Sequence, residues 1–374
     1  MLVVHLEDVF VSLMKSNMNK ILLMIFGSIF VLIGCSKEGC IDAQIISVDI
    51  DHVEPLVLMD DKDVNYIYLE SSIPAFSRDV RKILYVNDTI IRYGQDKVSA
   101  FDGQGKYLFD YSNIGEGPQE FIRLNTVFIQ DNKLNLYDGN SRKILRYTTS
   151  GEFVEYILCK PNTKGVSPAH IIPFPGTNNY VVLPTFIGVP NVENPLFALY
   201  DESLEAIKFS KDIKMHPHIN AYSPLVQTDS GILYNDSYSY DVFYVDESLV
   251  PKLKYSIDFG KYSIPKSLKE KGVEEISKAL INGNEELKYK SIGIRYLNDT
   301  PTHLIFGCNG RGLYMVSFDK QKKETKIFSP DITPGLRWTG YLSVHGDKVT
   351  IVAESNEKYD QNFVLITFPL SKLI

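Results

Sequence analysis

Five side chains with oxygen atoms suited to cation binding are spread along the chain, each in or beside a segment that separates apolar runs. They are Glu120, Asn140, Asp236, Asn309 and Glu354. Carboxylate and amide oxygens are the ligands that Ca²⁺ prefers in proteins. Their spacing matches no calcium-binding loop motif. A calcium site therefore requires a fold that brings these segments together.

A second set of loop residues combines arginine, aromatic and acidic side chains. Its members are Glu120, Arg123, Arg142, Tyr240, Arg311 and Trp338. Arginine binds carboxylates through paired hydrogen bonds, and tyrosine and tryptophan provide broad contact surfaces for partners. This set predicts a binding surface for a glycan, a peptide or a protein.

The common catalytic motifs are missing from the sequence. It contains no G-x-S-x-G, no H-E-x-x-H and no EF-hand loop. His216 and His218 flank Pro217 and could ligate zinc, but no third ligand stands at motif spacing. We therefore expect no cofactor, with calcium as the one candidate metal, and an interaction protein rather than an enzyme.

The segments around these residues have the pattern of short antiparallel strands. Between Lys97 and Leu158, apolar and polar residues alternate in runs that close on Asp102-Gly103-Gln104-Gly105, Asp131-Asn132 and Thr149-Ser150-Gly151. Period-two alternation bounded by Asp, Asn and Gly predicts strands joined by hairpins. A strand, a tight turn and another strand recur along the chain.

The recurrence predicts an all-β fold: a six-bladed β-propeller of four-stranded antiparallel blades. Five blades are complete, and the sixth lacks a strand at the C-terminal side. We expect the strand-like segment between Ile45 and Met59 to fill it, so that N- and C-terminal strands close the ring and remove exposed edges. The propeller then occupies residues 45–374.

One insertion interrupts the blades. Leu268, Val273, Ile276, Leu280 and Leu287 recur at helical spacing within residues 264–292. This predicts a short helical insert between blades four and five, interpreted as a solvated decoration on the propeller edge.

The turns between second and third strands, and the crossings between blades, are longer than the other turns. We expect them to share one face and to carry the binding residues.

The N-terminal segment has the features of a bacterial lipoprotein signal. Lys15 and Lys20 precede an uncharged, mostly apolar run over residues 21–33, which ends in Gly34-Cys35. We expect residues 1–35 to form the signal, with Cys35 lipidated, a tether over residues 36–44, and a true start at Met14 or Met18. The predicted location is the bacterial outer membrane or cell envelope, periplasmic or surface-exposed.

Charge narrows the range of partners. The net charge of −7 argues against an electrostatic nucleic-acid binder. The remaining predicted partners are the membrane, through the lipid at Cys35, and a glycan, peptide or envelope protein. We expect the protein itself to be a monomer.

Four segments resemble a known family. They are Phe101 to Lys106, Ile114 to Phe121, Asp138 to Ile144 and Tyr255 to Pro265. Together with the lipoprotein signal, they resemble the six-bladed β-propeller lipoproteins of Bacteroidetes, which are similar to NHL-repeat propellers. The resemblance implies the fold and the envelope location, and it leaves the activity open because one fold hosts many functions.

Two functional hypotheses follow. The first is a lipid-anchored envelope propeller that acts as a binding module on its long-loop face. The alternative is a calcium-dependent hydrolase or lyase, similar to the lactonases among six-bladed propellers, with its site in the central channel.

Overall fold

A computed structural model describes residues 43–71, 80–94, 97–112, 114–185, 193–214, 224–235, 238–355 and 363–374. Cys35, His216, His218 and Asp236 lie outside these ranges. Strands make up most of the described chain. No helix within the described ranges is long and apolar enough to cross a bilayer.

Three short strands precede the first blade: β1 (Gln44–Ser47), β2 (Glu54–Val57) and β3 (Asn65–Tyr68). Blade one then contains β4 (Lys82–Val86), β5 (Thr89–Tyr93), β6 (Val98–Phe101) and β7 (Tyr107–Ser112). Blade two contains β8 (Leu124–Gln130), β9 (Lys133–Asp138), β10 (Lys143–Thr148) and β11 (Phe153–Leu158). Consecutive strands within each blade pair antiparallel.

The third blade has an additional strand pair. β12 (Ser167–Pro173) and β13 (Tyr180–Thr185) are followed by β14 (Glu193–Pro195), then by β15 (Ala198–Tyr200), β16 (Ala206–Phe209) and β17 (Asp212–Lys214). The blade itself is β12, β13, β15 and β16, whereas β14 and β17 form a separate two-stranded sheet. The sequence pattern does not predict this pair.

The last three blades complete a ring of six. Blade four contains β18 (Leu225–Gln227), β19 (Ile232–Asn235), β20 (Asp241–Val245) and β21 (Lys252–Asp258). Blade five contains β22 (Ile294–Asp299), β23 (His303–Asn309), β24 (Leu313–Asp319) and β25 (Thr325–Asp331). Blade six contains β26 (Leu336–His345), β27 (Lys348–Ser355) and β28 (Phe363–Pro369). The predicted propeller of four-stranded antiparallel blades is confirmed.

The helical insert lies between blades four and five, as predicted. It contains α1 (Lys266–Lys269) and α2 (Val273–Ile281), with 3-10 turns at Gly260–Tyr262 and Glu285–Leu287. A further 3-10 turn, Leu370–Leu373, follows β28.

Ring closure uses both ends of the propeller, but the predicted closing strand is wrong. β3, rather than the segment between Ile45 and Met59, pairs antiparallel with β28 and supplies the fourth strand of blade six. β1 and β2 instead add parallel fifth strands to the outer edges of blades four and five. An alternating pattern identifies a strand but does not identify its partner. A strand can pair its backbone groups with the open edge of any blade, whether it completes that blade or adds a fifth strand to it.

The core is divided among the junctions of the blades. The buried apolar side chains of the described residues form six clusters, and each cluster joins one pair of neighbouring blades. The cluster of blades six and one includes Ile67 of β3 together with Ile83 and Leu365. Inner strands such as β23 are buried on both faces, since each blade packs between two others.

Blade one contacts the closing strand through a tight turn. The Asp102 carboxylate accepts hydrogen bonds from the backbone N–H groups of Gln104 and Lys106, both at 2.9 Å. Gly105 has a φ of +88°, and a Cβ there would lie 2.3 Å from the backbone oxygen of Tyr68 in β3. Glycine is therefore required both by the backbone conformation and by the approach of the closing strand.

Candidate functional site

A cavity of 780 Å³ lies where the helical insert meets blade four. One wall belongs to the blade and to β1: Ile45, Ser239, Tyr240, Asp241, Ser256, Ile257 and Asp258. The other wall belongs mainly to the insert: Ser263, Lys269, Glu270, Lys271, Gly272 and Ile276. The turn before β20 and the crossing after β21 both contribute, and these are the kinds of loop in which the sequence predicts binding.

The insert is held in place by its apolar face. Ile276 and Leu287 are buried, and Leu268 and Leu280 pack against the cluster between blades four and five. The opposite face of α2 is charged, and Lys278 lies 2.9 Å from both Glu274 and Glu275. An amphipathic helix with this arrangement docks on a core and leaves its polar side in solvent. The insert therefore forms a wall of the cavity, beyond the solvated decoration that the sequence predicts.

Tyr240 is the predicted binding residue that lies in this cavity. It is 6% exposed, and its hydroxyl donates to the backbone oxygen of Ser291 at 2.6 Å and accepts from the N–H of Ile264 at 2.7 Å. Burial raises the pKa of Tyr240 to about 12, so the hydroxyl remains protonated. Tyr240 thus lies in the cavity wall with both hydrogen-bonding functions of its hydroxyl already used.

A lysine lies over that ring. The Nζ atom of Lys269 is 3.5 Å from the centroid of the Tyr240 ring, which is a cation–π contact. Partial burial lowers the pKa of Lys269, and the negative charge of Asp241 opposes that shift. The ammonium therefore lies at the cavity wall with an aromatic face on one side.

Carboxylates occupy the blade wall. Asp241 accepts a hydrogen bond from the hydroxyl of Ser256 at 2.7 Å, and Asp258 accepts one from the N–H of Gly260 at 2.8 Å. The second oxygen of each carboxylate has no hydrogen-bond partner within the described chain. Both signs of charge therefore border one cavity.

The other predicted binding residues lie elsewhere. The Glu120 carboxylate accepts a hydrogen bond from the N–H of Gly117 at 2.9 Å within its own loop. Arg123 is exposed, and Arg142, also exposed, reaches the hydroxyl of Ser167 at 3.4 Å. The Arg311 guanidinium lies 5.9 Å from the centroid of the Tyr262 ring, on the turn after β23.

Trp338 is a strand residue rather than a loop residue. It belongs to β26, is 7% exposed and donates its indole N–H to the backbone oxygen of Tyr341 at 2.8 Å. The prediction that Trp338 lies on a binding loop is therefore wrong, because its ring packs in the cluster between blades five and six.

Four of the predicted oxygen ligands, Glu120, Asn140, Asn309 and Glu354, lie in the described part of the chain. No group of three His, Cys, Asp or Glu side chains there could hold a metal ion. Glu354 pairs with Arg337, and Asn140 follows Asp138 in a turn where its backbone N–H, at 3.0 Å, donates to that carboxylate. Asn309 ends β23, and its side-chain oxygen is buried without a hydrogen-bond partner among the described residues. The calcium hypothesis therefore gains no support from these four residues.

The two cysteines in the described part of the chain are buried or partly buried. Burial raises the pKa of both the Cys159 and the Cys308 thiol to about 12. Neither is a thiolate at neutral pH, so neither has the character of a nucleophile or metal ligand.

Sequence reasoning missed Ser256, Asp258, Lys269 and Lys271 as cavity residues. The sequence feature that could have indicated these residues is the apolar spacing of the insert. A helix with an apolar face packs against another part of the protein and brings its neighbouring residues with it. The direction of docking could not be predicted from that spacing.

The fold and the family of this chain are both established. The chain has the architecture of a six-bladed β-propeller. It belongs to the family described as domain of unknown function DUF4934, whose pattern matches residues 44–359. No curated protein matches the chain.

Two solved structures show the same fold at low sequence identity. One is a Bacteroides fragilis protein described as exported, 13% identical, with a TM-score of 0.64, covering 87% of this chain and 99% of that one. The other is a member of the DUF4221 family from Bacteroides vulgatus, 10% identical, with a TM-score of 0.50, covering 82% of this chain and 96% of that one.

Proposed function

We propose that this protein is an exported, lipid-anchored propeller of the bacterial envelope, which binds a glycan, peptide or protein segment in the cavity between blade four and the helical insert. The cavity is the observation that carries the proposal. Its 780 Å³ lies within the range of small-molecule and cofactor sites, about 300–1,000 Å³. Its wall combines hydroxyls, charges and the fixed ring of Tyr240, a combination suited to polar ligands.

The envelope location rests on separate support. The N-terminal segment has the order of a lipoprotein signal, with a positive region, an apolar run and Cys35. The similar structure from B. fragilis is described as that of an exported protein. Labelling with a fatty-acid analogue should mark the wild-type protein in the membrane fraction and leave a Cys35→Ala variant unlabelled. Equal labelling of both would contradict the anchor.

Binding is tested by closing the cavity. Ile45 borders the cavity, is 70% exposed and lies on β1, so Ile45→Trp should fill the mouth without disturbing the core. Titration calorimetry of the purified protein against glycan and peptide panels should identify a ligand. For that ligand we expect roughly tenfold weaker binding to Ile45→Trp, since a bulky ring excludes it.

The matched control is Val57→Trp. Val57 is 54% exposed and lies on β2, the corresponding added strand of blade five, outside the cavity. This variant should bind as the wild type does. Equal affinity of all three proteins would place the ligand elsewhere and overturn the assignment of the cavity.

A further inference from the structure

A lysine side chain bridges two inner strands at the centre of the ring. Lys82 is the first residue of β4, the inner strand of blade one, and its Nζ atom donates a hydrogen bond to the backbone oxygen of Val127 at 3.0 Å. Val127 belongs to β8, the inner strand of blade two. The inner strands of the six blades, β4, β8, β12, β18, β22 and β26, enclose the central channel of the propeller.

The register of β8 places this ammonium group on the channel side of the strand. A two-residue turn joins β8 to β9, and Gln130 pairs with Lys133 beside it. In such a hairpin the hydrogen-bonded and non-hydrogen-bonded pairs alternate, starting with a hydrogen-bonded pair at the turn. Val127 pairs with Leu136, three positions further on, and is therefore in a non-hydrogen-bonded pair. Its carbonyl group faces away from β9 and toward the channel, where it accepts from Lys82.

Other blades make the same kind of contact with neutral side chains. The hydroxyl of Tyr341 in blade six accepts a hydrogen bond from the N–H of Ile83 in β4 at 2.7 Å. The side-chain oxygen of Asn298 in blade five accepts one from the N–H of Val344 in β26 at 3.0 Å. Joining one inner strand to the next therefore does not require a charge, and the charge of Lys82 is additional to this structural role.

The ammonium group of Lys82 has no counter-charge in the described part of the chain. Burial lowers the pKa of Lys82 to about 8, and no charged neighbour contributes to this shift. The amine is still mainly protonated at neutral pH. The residue is partly exposed, so a small solute in the channel can reach it, but the surrounding blades remove much of the water that would stabilise the charge. A bound anion would relieve this cost.

The inner strands as a group are basic. With histidines counted as neutral, their charged residues are Lys82, Arg295, Arg337 and Asp299. Asp299 already lies 2.6 Å from Lys320, and Arg337 pairs with Glu354. Lys82 and Arg295 form no ion pair with a carboxylate in the described ranges. The whole chain has a net charge of −7, so a basic channel crosses an acidic protein, and a passage lined by one sign of charge concentrates ions of the other sign.

We propose that the central channel is an anion-binding site, in which Lys82 binds a small oxyanion: a carboxylate, phosphate or sulfate group. An ammonium group has three N–H donors, and Val127 accepts from one of them, which leaves two for the oxyanion. The site is separate from the cavity between blade four and the insert and does not depend on the function proposed for that cavity.

The test uses the full-length protein and three probes: inorganic phosphate, sulfate and acetate. Each probe is titrated by calorimetry at pH 7, with the ionic strength held constant by sodium chloride. We expect saturable binding of at least one probe to the wild type. Lys82→Met keeps the length of the side chain and removes its charge, so it should bind that probe roughly tenfold more weakly or not at all.

A second variant and a control separate binding from folding. Lys82→Gln keeps a side-chain N–H donor, as the neutral contacts of the other blades allow, so it should fold and still lose the oxyanion. Lys143→Met is the matched control. The Nζ atom of Lys143 also donates to a backbone oxygen, that of Gly117 at 2.8 Å, but Lys143 lies on β10, the third strand of blade two. This variant should bind the probe as the wild type does.

Two results would overturn the anion site. One is the absence of saturable binding by the wild type, and the other is equal affinity of the wild type and Lys82→Gln. Ile45→Trp, which fills the mouth of the other cavity, should bind the oxyanion with wild-type affinity. Loss of the oxyanion in Ile45→Trp would place the anion in that cavity and contradict its assignment to the channel.

Discussion

At the scale of single residues, Asp138 is a carboxylate whose hydrogen bonds stabilise the fold. It is buried, and its carboxylate accepts hydrogen bonds from the backbone N–H groups of Ile122, Arg123, Asn140 and Ser141 and from the Ser141 hydroxyl, at 2.6 to 3.3 Å. These bonds tie the entry of blade two to the turn after β9. The carboxylate has little capacity left for a ligand.

Asp138→Ala should therefore lower the free energy of unfolding by about 3 kcal/mol, because several buried donors lose their acceptor. Urea denaturation followed by circular dichroism measures the loss. The control is Asp229→Ala, which removes an exposed carboxylate and should change the free energy by less than about 0.5 kcal/mol. Similar effects of both substitutions would contradict the structural role.

Asp246 makes stability depend on pH. Hydrogen bonds from Lys252 and Ser248 lower its pKa to about 2 from the ordinary 3.8. The folded state therefore favours the ionised carboxylate, so the stabilisation is complete above about pH 4 and is lost as the pH falls toward 2. The side chain is 31% exposed, so solvent screens the interaction.

Asp246→Asn should cost about 1 kcal/mol of unfolding free energy at pH 7, and the difference from wild type should shrink between pH 4 and pH 3. Urea denaturation at several pH values measures it. A difference that stays constant from pH 7 to pH 3 would show that the charge of Asp246 is not involved.

At the scale of elements, β1 has two faces with different roles. Ile46 is 1% exposed and packs into the cluster between blades four and five, whereas Ile45 faces the cavity. Ile46→Ala should lower the unfolding free energy by about 3 kcal/mol through loss of buried apolar contacts. Ile45→Ala should change it by less than about 0.5 kcal/mol. Equal losses at the two neighbours, measured by urea denaturation, would mean that β1 does not pair with β21 in this register.

The blades were predictable from the sequence because hairpin pairing is local: alternation and turn residues such as Asp102 and Gly105 stand within one short segment. The short strand β3 was itself not predicted. The partners of β1 and β2 were not predictable either, because their pairing joins residues far apart and an alternating pattern fits any open edge. The cavity was missed for the same reason. Tyr240 could be predicted as a binding residue from its position in a loop. Lys269 contacts Tyr240 only because the insert docks on blade four, which the sequence pattern does not predict.

At the scale of the whole molecule, β3 makes the ring continuous. Ile67 is 8% exposed in the cluster between blades six and one, while its neighbour Tyr68 is 56% exposed. Ile67→Asp buries a charge at the closure and should cost more than about 4 kcal/mol. Scanning calorimetry should show a single transition for wild type and a lower, broader one for this variant.

Tyr68→Asp is the matched control, with a charge on the outer face of the same strand. It should keep a single transition near that of wild type. A cooperative transition at the wild-type temperature for Ile67→Asp would show that the ring does not depend on its closing strand.

The pairing of β1, β2 and β3 also sets an order of events during folding. Gln44 pairs with Tyr255, Glu54 with Phe328 and Asn65 with Thr367. Each N-terminal strand therefore pairs with a strand that is far from it in sequence. Contacts of such long sequence separation form slowly, and strands that wait expose apolar residues to aggregation. The first blades can fold from local hairpins, but the ring closes late, and the folding chain carries its N-terminal strands without their partners until then.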